Sequence, residues 1–308
     1  MIHIKNIRSS RINAVRKTDF LRHVPVAIFA AVMSLTSCVK DDLYDTPHPN
    51  HGKVAVTADW SGRGDGIAVP DKWTLNIGDY SGEETTATHA PDYLFTPGEY
   101  GIIAYNPATD ITVSGTAASV ASAGGKNGFI SNAPGILFTN MQKVAIEKDK
   151  EHAFTAVMRQ QTGRLTLVIE PTGDAADRIE KMEGSLSGVA GTMDFAADTY
   201  GAPSEVALHF TRITEGADKG KWTATVWLLG TAGTEQKLSA TITYADSNPQ
   251  PTALESDLTT ALKDFNDNKS EALTLGGSVM ETPDGVGVGG VITDWKPGNG
   301  EGDDIVAQ

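Results

Sequence analysis

The sequence predicts a mainly β protein, two tandem β-sandwiches with one or two short helices. Three observations lead there. Apolar and polar residues alternate over short runs, as in Val54, Val56, Ala58 and Trp60 set against Ala55, Thr57 and Asp59, the period of a half-buried strand. Turn-forming residues, among them 32 Gly and 14 Pro in 308 residues, fall between these runs at roughly even spacing, as sandwiches require. Helical periodicity is confined to two segments.

Residues 1–37 read as a leader. They carry six basic residues and one acidic, followed by the apolar run 24–33. Ten apolar residues make about 15 Å of helix, too short for a hydrocarbon core of roughly 30 Å, so the run is a signal-peptide core. Leu35, Thr36 and Ser37 ahead of Cys38 resemble the bacterial lipobox, which implies lipidation of Cys38, the sole cysteine. Three acyl chains at about 0.8 kcal/mol per buried CH₂ would hold such a chain on a membrane. Without the leader, 271 residues carry 19 basic and 38 acidic side chains, a net charge of −19. Phosphate backbones repel such a chain, so no nucleic-acid partner is expected.

Residues 38–52, with Pro47 and Pro49, lack periodicity and read as a tether. A first sandwich is expected over 53–150, with strands at 53–60, 73–77, 100–105, 111–113 and 143–147. The charge run 147–151 marks the boundary. A second sandwich is expected over 151–308, with strands at 153–158, 165–170, 186–195, 205–210, 221–229, 238–244, 271–275 and 286–295. A short helix is expected at 174–182. A second would start at the capping box formed by Thr252 and Glu255 and carry Leu254, Leu258, Ala261, Leu262 and Phe265 on one stripe.

Motifs that carry chemistry fail on their details. The Gly125-Lys126 pair has Val120 where a phosphate loop needs its first glycine and Asn127 where it needs Ser or Thr. The glycines at 285–290 run into a strand and not a helix, so no dinucleotide loop is expected. Leu186 stands where a nucleophile elbow needs serine. His48 and His51 lack further zinc ligands nearby. No catalytic residue, metal or cofactor is therefore expected. Arg63, Gly64 and Asp65 form an RGD tripeptide in a glycine-rich loop, and Arg63 also suits a protease that cuts after arginine.

Several stretches together resemble the fimbrillin and fimbrial-anchor lipoprotein superfamily of Bacteroidetes bacteria. They are Cys38 to Leu43 with His48 and Pro49, the strand ending in Asp59 and Trp60, the run 95–106 beginning Phe95-Thr96-Pro97-Gly98, the stretch around Val157-Met158-Arg159, and Gly290 to Trp295. The resemblance implies transthyretin-like sandwiches, a lipid anchor in the outer membrane, surface display, and a part in fimbriae that mediate adhesion. It implies other fimbrial subunits as partners, and host surface proteins or glycans as candidate ligands. In that superfamily, stalk subunits lose their first strand to a protease and accept a strand from the next subunit. Mapped here, Val54, Val56, Ala58 and Trp60 lie on the removable strand, Arg63 is the candidate cleavage site, and Val291 and Ile292 lie on a candidate donor strand. Anchor subunits keep the lipid and remain uncut. The Pro- and Gly-rich residues after Trp295 make a poor strand, which favours an accessory, anchor or tip role over the main stalk. The alternative is a monomeric surface lipoprotein that binds glycan or a host protein.

Overall fold

The computed structural model describes residues 50–124, 128–173, 176–245, 250–280, 290–292 and 295–297. They form a mainly β protein with two hydrophobic cores.

The first core lies between two sheets. One has the order β10-β1-β4, from Glu151–Val157 (β10), Lys53–Asp59 (β1) and Thr88–His89 (β4). The other has the order β11-β9-β5-β2-β3, from Arg159–Gln160 (β11), Phe138–Ile146 (β9), Gly98–Tyr105 (β5), Trp73–Ile77 (β2) and Tyr80–Glu84 (β3). Period-two alternation puts Val54, Val56 and Ala58 of β1 into the same buried cluster as Trp73, Leu75 and Ile77 of β2.

The second core is larger. Its spine is the long hairpin of β13 (Ile179–Asp194) and β14 (Thr199–Arg212). The Asp194 carboxylate turns this hairpin by accepting the N–H groups of Ala196 at 3.0 Å and Ala197 at 3.3 Å. Beside β13 run β16 (Lys237–Tyr244), β17 (Thr252–Asp257) and β19 (Gly290–Val291). Beyond the far end of β14 come β15 (Trp222–Leu228), β12 (Gly163–Thr172), β18 (Leu273–Met280) and β20 (Lys296–Pro297).

Neither core is drawn from one continuous stretch of chain. Three strands of the first half, β6 (Ile111–Ser114), β7 (Ala117–Val120) and β8 (Phe129–Ile130), join the hairpin: β7 pairs with β13 and β8 with β14. Ala118, Val120 and Ile130 are accordingly buried in the second core. Conversely β10, which begins at the last residue of the charge run, carries Ala156 and leads to Met158, both buried in the first core.

Both helix expectations are corrected. The described part of 174–182 is a 3-10 turn, Ala176–Arg178, running straight into β13. Ile179 and Met182 pair with Tyr244 and Ile242, and these ladder bonds override the local helical preference. The capping-box segment forms β17, antiparallel to β16 from Lys237↔Asp257 to Ile242↔Thr252. Leu258, Leu262 and Phe265 are buried as expected, but in turns such as Leu262 N–H to Leu258 O at 2.9 Å. Thr252, Leu254 and Ser256 also alternate with the exposed Ala253, Glu255 and Asp257, and pairing with β16 satisfies more backbone groups than an isolated helical start.

A bulge in β13 falls between Ser187 and Val189. Gly188 there has φ +70, and a Cβ would collide with the Glu235 carbonyl. Gly188→Ala is expected to destabilise the chain by about 2–3 kcal/mol, read as a lower denaturant midpoint at unchanged slope. A midpoint equal to the parent's would mean that the bulge relaxes freely.

Candidate strand-exchange site

The resemblance puts the functional weight on β1, which is an interior strand. It runs parallel to β10 in continuous register from Lys53↔Glu151 to Asp59↔Val157. On its other edge Val56 and Thr57 pair with His89 and Thr88 of β4, and the Ala58 N–H donates to Ala87 O at 2.8 Å. Val54, Val56, Ala58 and Trp60 are all buried, and the Trp60 ring stands edge-on to Phe138 with centroids 5.5 Å apart. The four candidate exchange positions at this end thus share one face and one core.

Two polar devices hold the neighbours of β1. His89 on β4 is clamped to β3: its Nδ1 lies 2.8 Å from Glu84 Oε2, and its Nε2 lies 2.8 Å from the Tyr80 hydroxyl. Burial, then the Glu84 charge, pushes the Tyr80 hydroxyl pKa up, so the phenol stays protonated. On the far side, β10 is an edge strand with two of its outward carbonyls capped. Asn140 Nδ2 donates to Val157 O at 3.0 Å and Gln142 Nε2 to Thr155 O at 3.2 Å. Side chains of β9 thereby cover the C-terminal half of an edge that would otherwise invite a further strand.

After Trp60 the chain turns. The Ser61 N–H donates to Asp59 Oδ1 at 2.9 Å and holds that carboxyl below its usual range. Arg63 and Asp65 are exposed, with Gly64 half-buried between them. Lys269 lies behind this loop at the edge of the second core. It is 4% exposed, and its Nζ donates to the Tyr200 hydroxyl at 2.7 Å. The hydroxyl in turn donates to Asp198 Oδ1 at 3.0 Å, and Arg159 Nη1 lies 3.3 Å from Asp198 Oδ2. Burial pulls the Lys269 amine down to about 7 against the raising effect of the Asp198 and Asp267 charges.

The other candidate exchange positions lie apart from β1. Val291 is in β19, which pairs in parallel with β17 as Glu255↔Val291. Ile292 is buried in the second core, its carbonyl accepts a hydrogen bond from Ser256 Oγ, and Trp295 Nε1 donates to that Oγ at 2.8 Å. Ile292 is thus seated in this chain's own core. Leu35, Thr36, Ser37 and Cys38 lie outside the described residues, as do His48, the Gly125-Lys126 pair and most of the glycine run at 285–290. Among the described residues no group of three or more His, Cys, Asp or Glu is placed to hold a metal ion, and no helix is long and apolar enough to cross a membrane.

Three of the residues that organise this region are weakly marked in the sequence. Gln160 carried only a weak signal, a polar Gln160-Gln161 pair between two β-rich runs. Lys269 and His89 carried none, because their burial and clamping come from segments distant in sequence.

The family model for fimbrillin-A associated anchor proteins Mfa1 and Mfa2 matches residues 75–297. Among solved structures, a candidate adhesin of Bacteroides ovatus aligns with a TM-score of 0.55 and 11% identity, over 85% of this chain and 95% of its own. The fimbrial anchor protein Mfa2 from Porphyromonas gingivalis aligns with a TM-score of 0.51 and 15% identity, over 80% of this chain and 97% of its own. A candidate polysaccharide-binding protein of Bacteroides thetaiotaomicron aligns with a TM-score of 0.50 and 10% identity, over 74% and 92%. No curated protein matches the chain.

Proposed function

The chain belongs to the family of fimbrillin-A associated anchor proteins Mfa1 and Mfa2, and from that premise we propose that it is a surface lipoprotein that anchors or caps a fimbrium through β-strand pairing with another subunit. Residues 1–37 are read as the leader, Cys38 as the lipidated N-terminus in the outer membrane, and 38–52 as the tether. The two cores are read as two sandwich domains. The observation that carries the reading is the state of β1. It is paired along its whole length with β10 and buried in the first core, which suits an anchor that retains its first strand. At the other end, Ile292 and Trp295 pack against the second core, which makes Val291 and Ile292 poor candidates for donation without local unfolding. Partner subunits would then add a strand at an edge or displace β1.

A monomeric glycan-binding lipoprotein would present aromatic platforms to solvent. Trp60, Trp73 and Trp222 are instead buried and Trp227 and Trp295 are half-buried, so among the described residues no tryptophan stands fully exposed, which favours the fimbrial reading.

The deciding experiment is mass spectrometry of the N-terminus of protein recovered from cell surfaces, together with its co-purification with fimbriae. A triacylated start at Cys38 in fimbrial material is the expected result. A start at Gly64 in polymeric material would make the protein a stalk or tip subunit. Lipidated monomer with no fimbrial association would overturn the fimbrial assignment in favour of the binding lipoprotein.

A further inference from the structure

The Arg63–Gly64 peptide bond lies in a surface loop, yet its glycine is pinned. The Gly64 N–H donates to Gln160 Oε1 at 2.9 Å, and a Cβ at this position would collide with the Ser270 carbonyl oxygen. Gln160 is itself 4% exposed. Its Nε2 donates to Thr162 O at 2.8 Å and to Lys269 O at 2.9 Å. One amide side chain therefore ties together three stretches of chain: the loop after β1, the link from β11 to β12, and the turn that precedes β18.

The loop is also closed from its own side. The Arg63 N–H and Nη1 both donate to Trp60 O, at 3.2 and 3.1 Å, and the Ile67 N–H donates to Gly64 O at 3.2 Å. The turn against which Gly64 rests is held in its turn. Lys269 Nζ donates to the Tyr200 hydroxyl, and Asn266 exchanges two hydrogen bonds with the backbone of Thr231, at 2.8 and 3.1 Å. Only a small cavity of about 50 Å³ remains at this junction, lined by Gly62, Arg159, Gln160, Lys269 and Ser270 among others.

A protease takes its substrate as an extended strand and uses the substrate's backbone groups for its own hydrogen bonds, so a bond in a folded turn is cut only after that turn opens. We infer that Gln160 is a clasp that keeps the Arg63–Gly64 bond closed to arginine-specific proteolysis while the protein is folded, although Arg63 is exposed. The clasp keeps β1 covalently joined to the rest of the chain, and joins the loop of the first core to a turn of the second. This property belongs to the folded chain and stands whether or not the chain is part of a fimbrium.

The test is limited digestion of the mature chain by an arginine-specific endopeptidase, with cleavage at Arg63 followed by mass spectrometry. Each rate is referred to that of a synthetic peptide spanning Thr57 to Asp71 with the same residue at position 64. The parent protein is expected to be cut at Arg63 at least about 100-fold more slowly than its peptide, since cutting waits on local opening. Gln160→Ala, which removes three hydrogen bonds, is expected to raise the rate about 10-fold or more. Gly64→Ala reaches the same result by steric expulsion from Ser270, and it decides the matter if Gln160→Ala proves not to fold by circular dichroism. Parent protein cut as fast as its peptide would overturn the inference. So would folded variants that remain as slow as the parent.

Discussion

A chain that begins at Asp65, and so lacks β1, is expected to lose the folded first core while keeping the second. β1 contributes Val54, Val56 and Ala58 to that core, with Trp60 immediately after it. Removing four such side chains forfeits on the order of 8 kcal/mol of burial, comparable with the roughly 5–15 kcal/mol that holds a whole domain together. The inward-facing backbone groups of β10 would also lose their partner strand. Hydrogen exchange is the suitable measurement. Amides of β2, β5 and β9 are expected to lose protection, while those of β13, β14 and β16 retain it.

Addition of a peptide spanning Lys53 to Trp60 is expected to restore protection in the first core, because the vacated groove is a template for one more strand. The same peptide carrying Val56→Asp is expected to fail, since it would bury a carboxylate at a position that is fully enclosed. Native protection without β1 would mean that the first core does not depend on this strand, and the strand-exchange reading would lose its physical basis.

Lys269→Met is expected to stabilise the protein near neutral pH and to remove part of its pH dependence. The Lys269 amine is lowered to about 7, first by burial, while Asp198 and Asp267 pull it back up and Arg159 adds to the depression. The unfolded chain holds its proton up to about pH 10.5. Between these values the unfolded state binds more protons, so the stability of the parent protein rises with pH across that window. Below pH 7 the amine is charged in both states and its desolvation cost is carried in full. Methionine fills a similar volume beside Met193 without a charge to desolvate. The gap between variant and parent is expected to be widest near pH 6 and to narrow by about 2–3 kcal/mol by pH 9. Denaturant unfolding of both chains across that range is the check. A gap that stays constant with pH would show that the amine is not its source.

Much of the fold was legible in local patterning. The inward faces of β1, β2 and β16 follow directly from alternation in 54–58, 73–77 and 238–244. The buried stripe of Leu254, Leu258, Leu262 and Phe265 was equally legible, and only its backbone was misread. Strand β3 escaped notice because Tyr80–Glu84 is polar. It is an edge strand that packs Tyr80 against the core and turns its carboxylates outward or toward His89.

The site was less legible. The RGD loop and Arg63 stand out in the sequence, but nothing local says that Gly64 is fastened by Gln160 or that Lys269 is enclosed behind it. The charge run at 147–151 looks like an ending, yet β10, which begins at its last residue, supplies the parallel partner of β1.

Residue order along the chain therefore determines which side chains face inward, because the strand period of two is a property of the backbone itself. It also determines the acidic composition and the match to the anchor family over residues 75–297. Which strand lies beside which, which core receives 111–130 and which receives 151–158, and which amides and amines become buried were decided only by the tertiary structure. The reason is that backbone hydrogen bonds between strands are the same for every sequence, so the pairing of β1 with β10 is chosen by the fit of whole apolar faces brought together from distant parts of the chain.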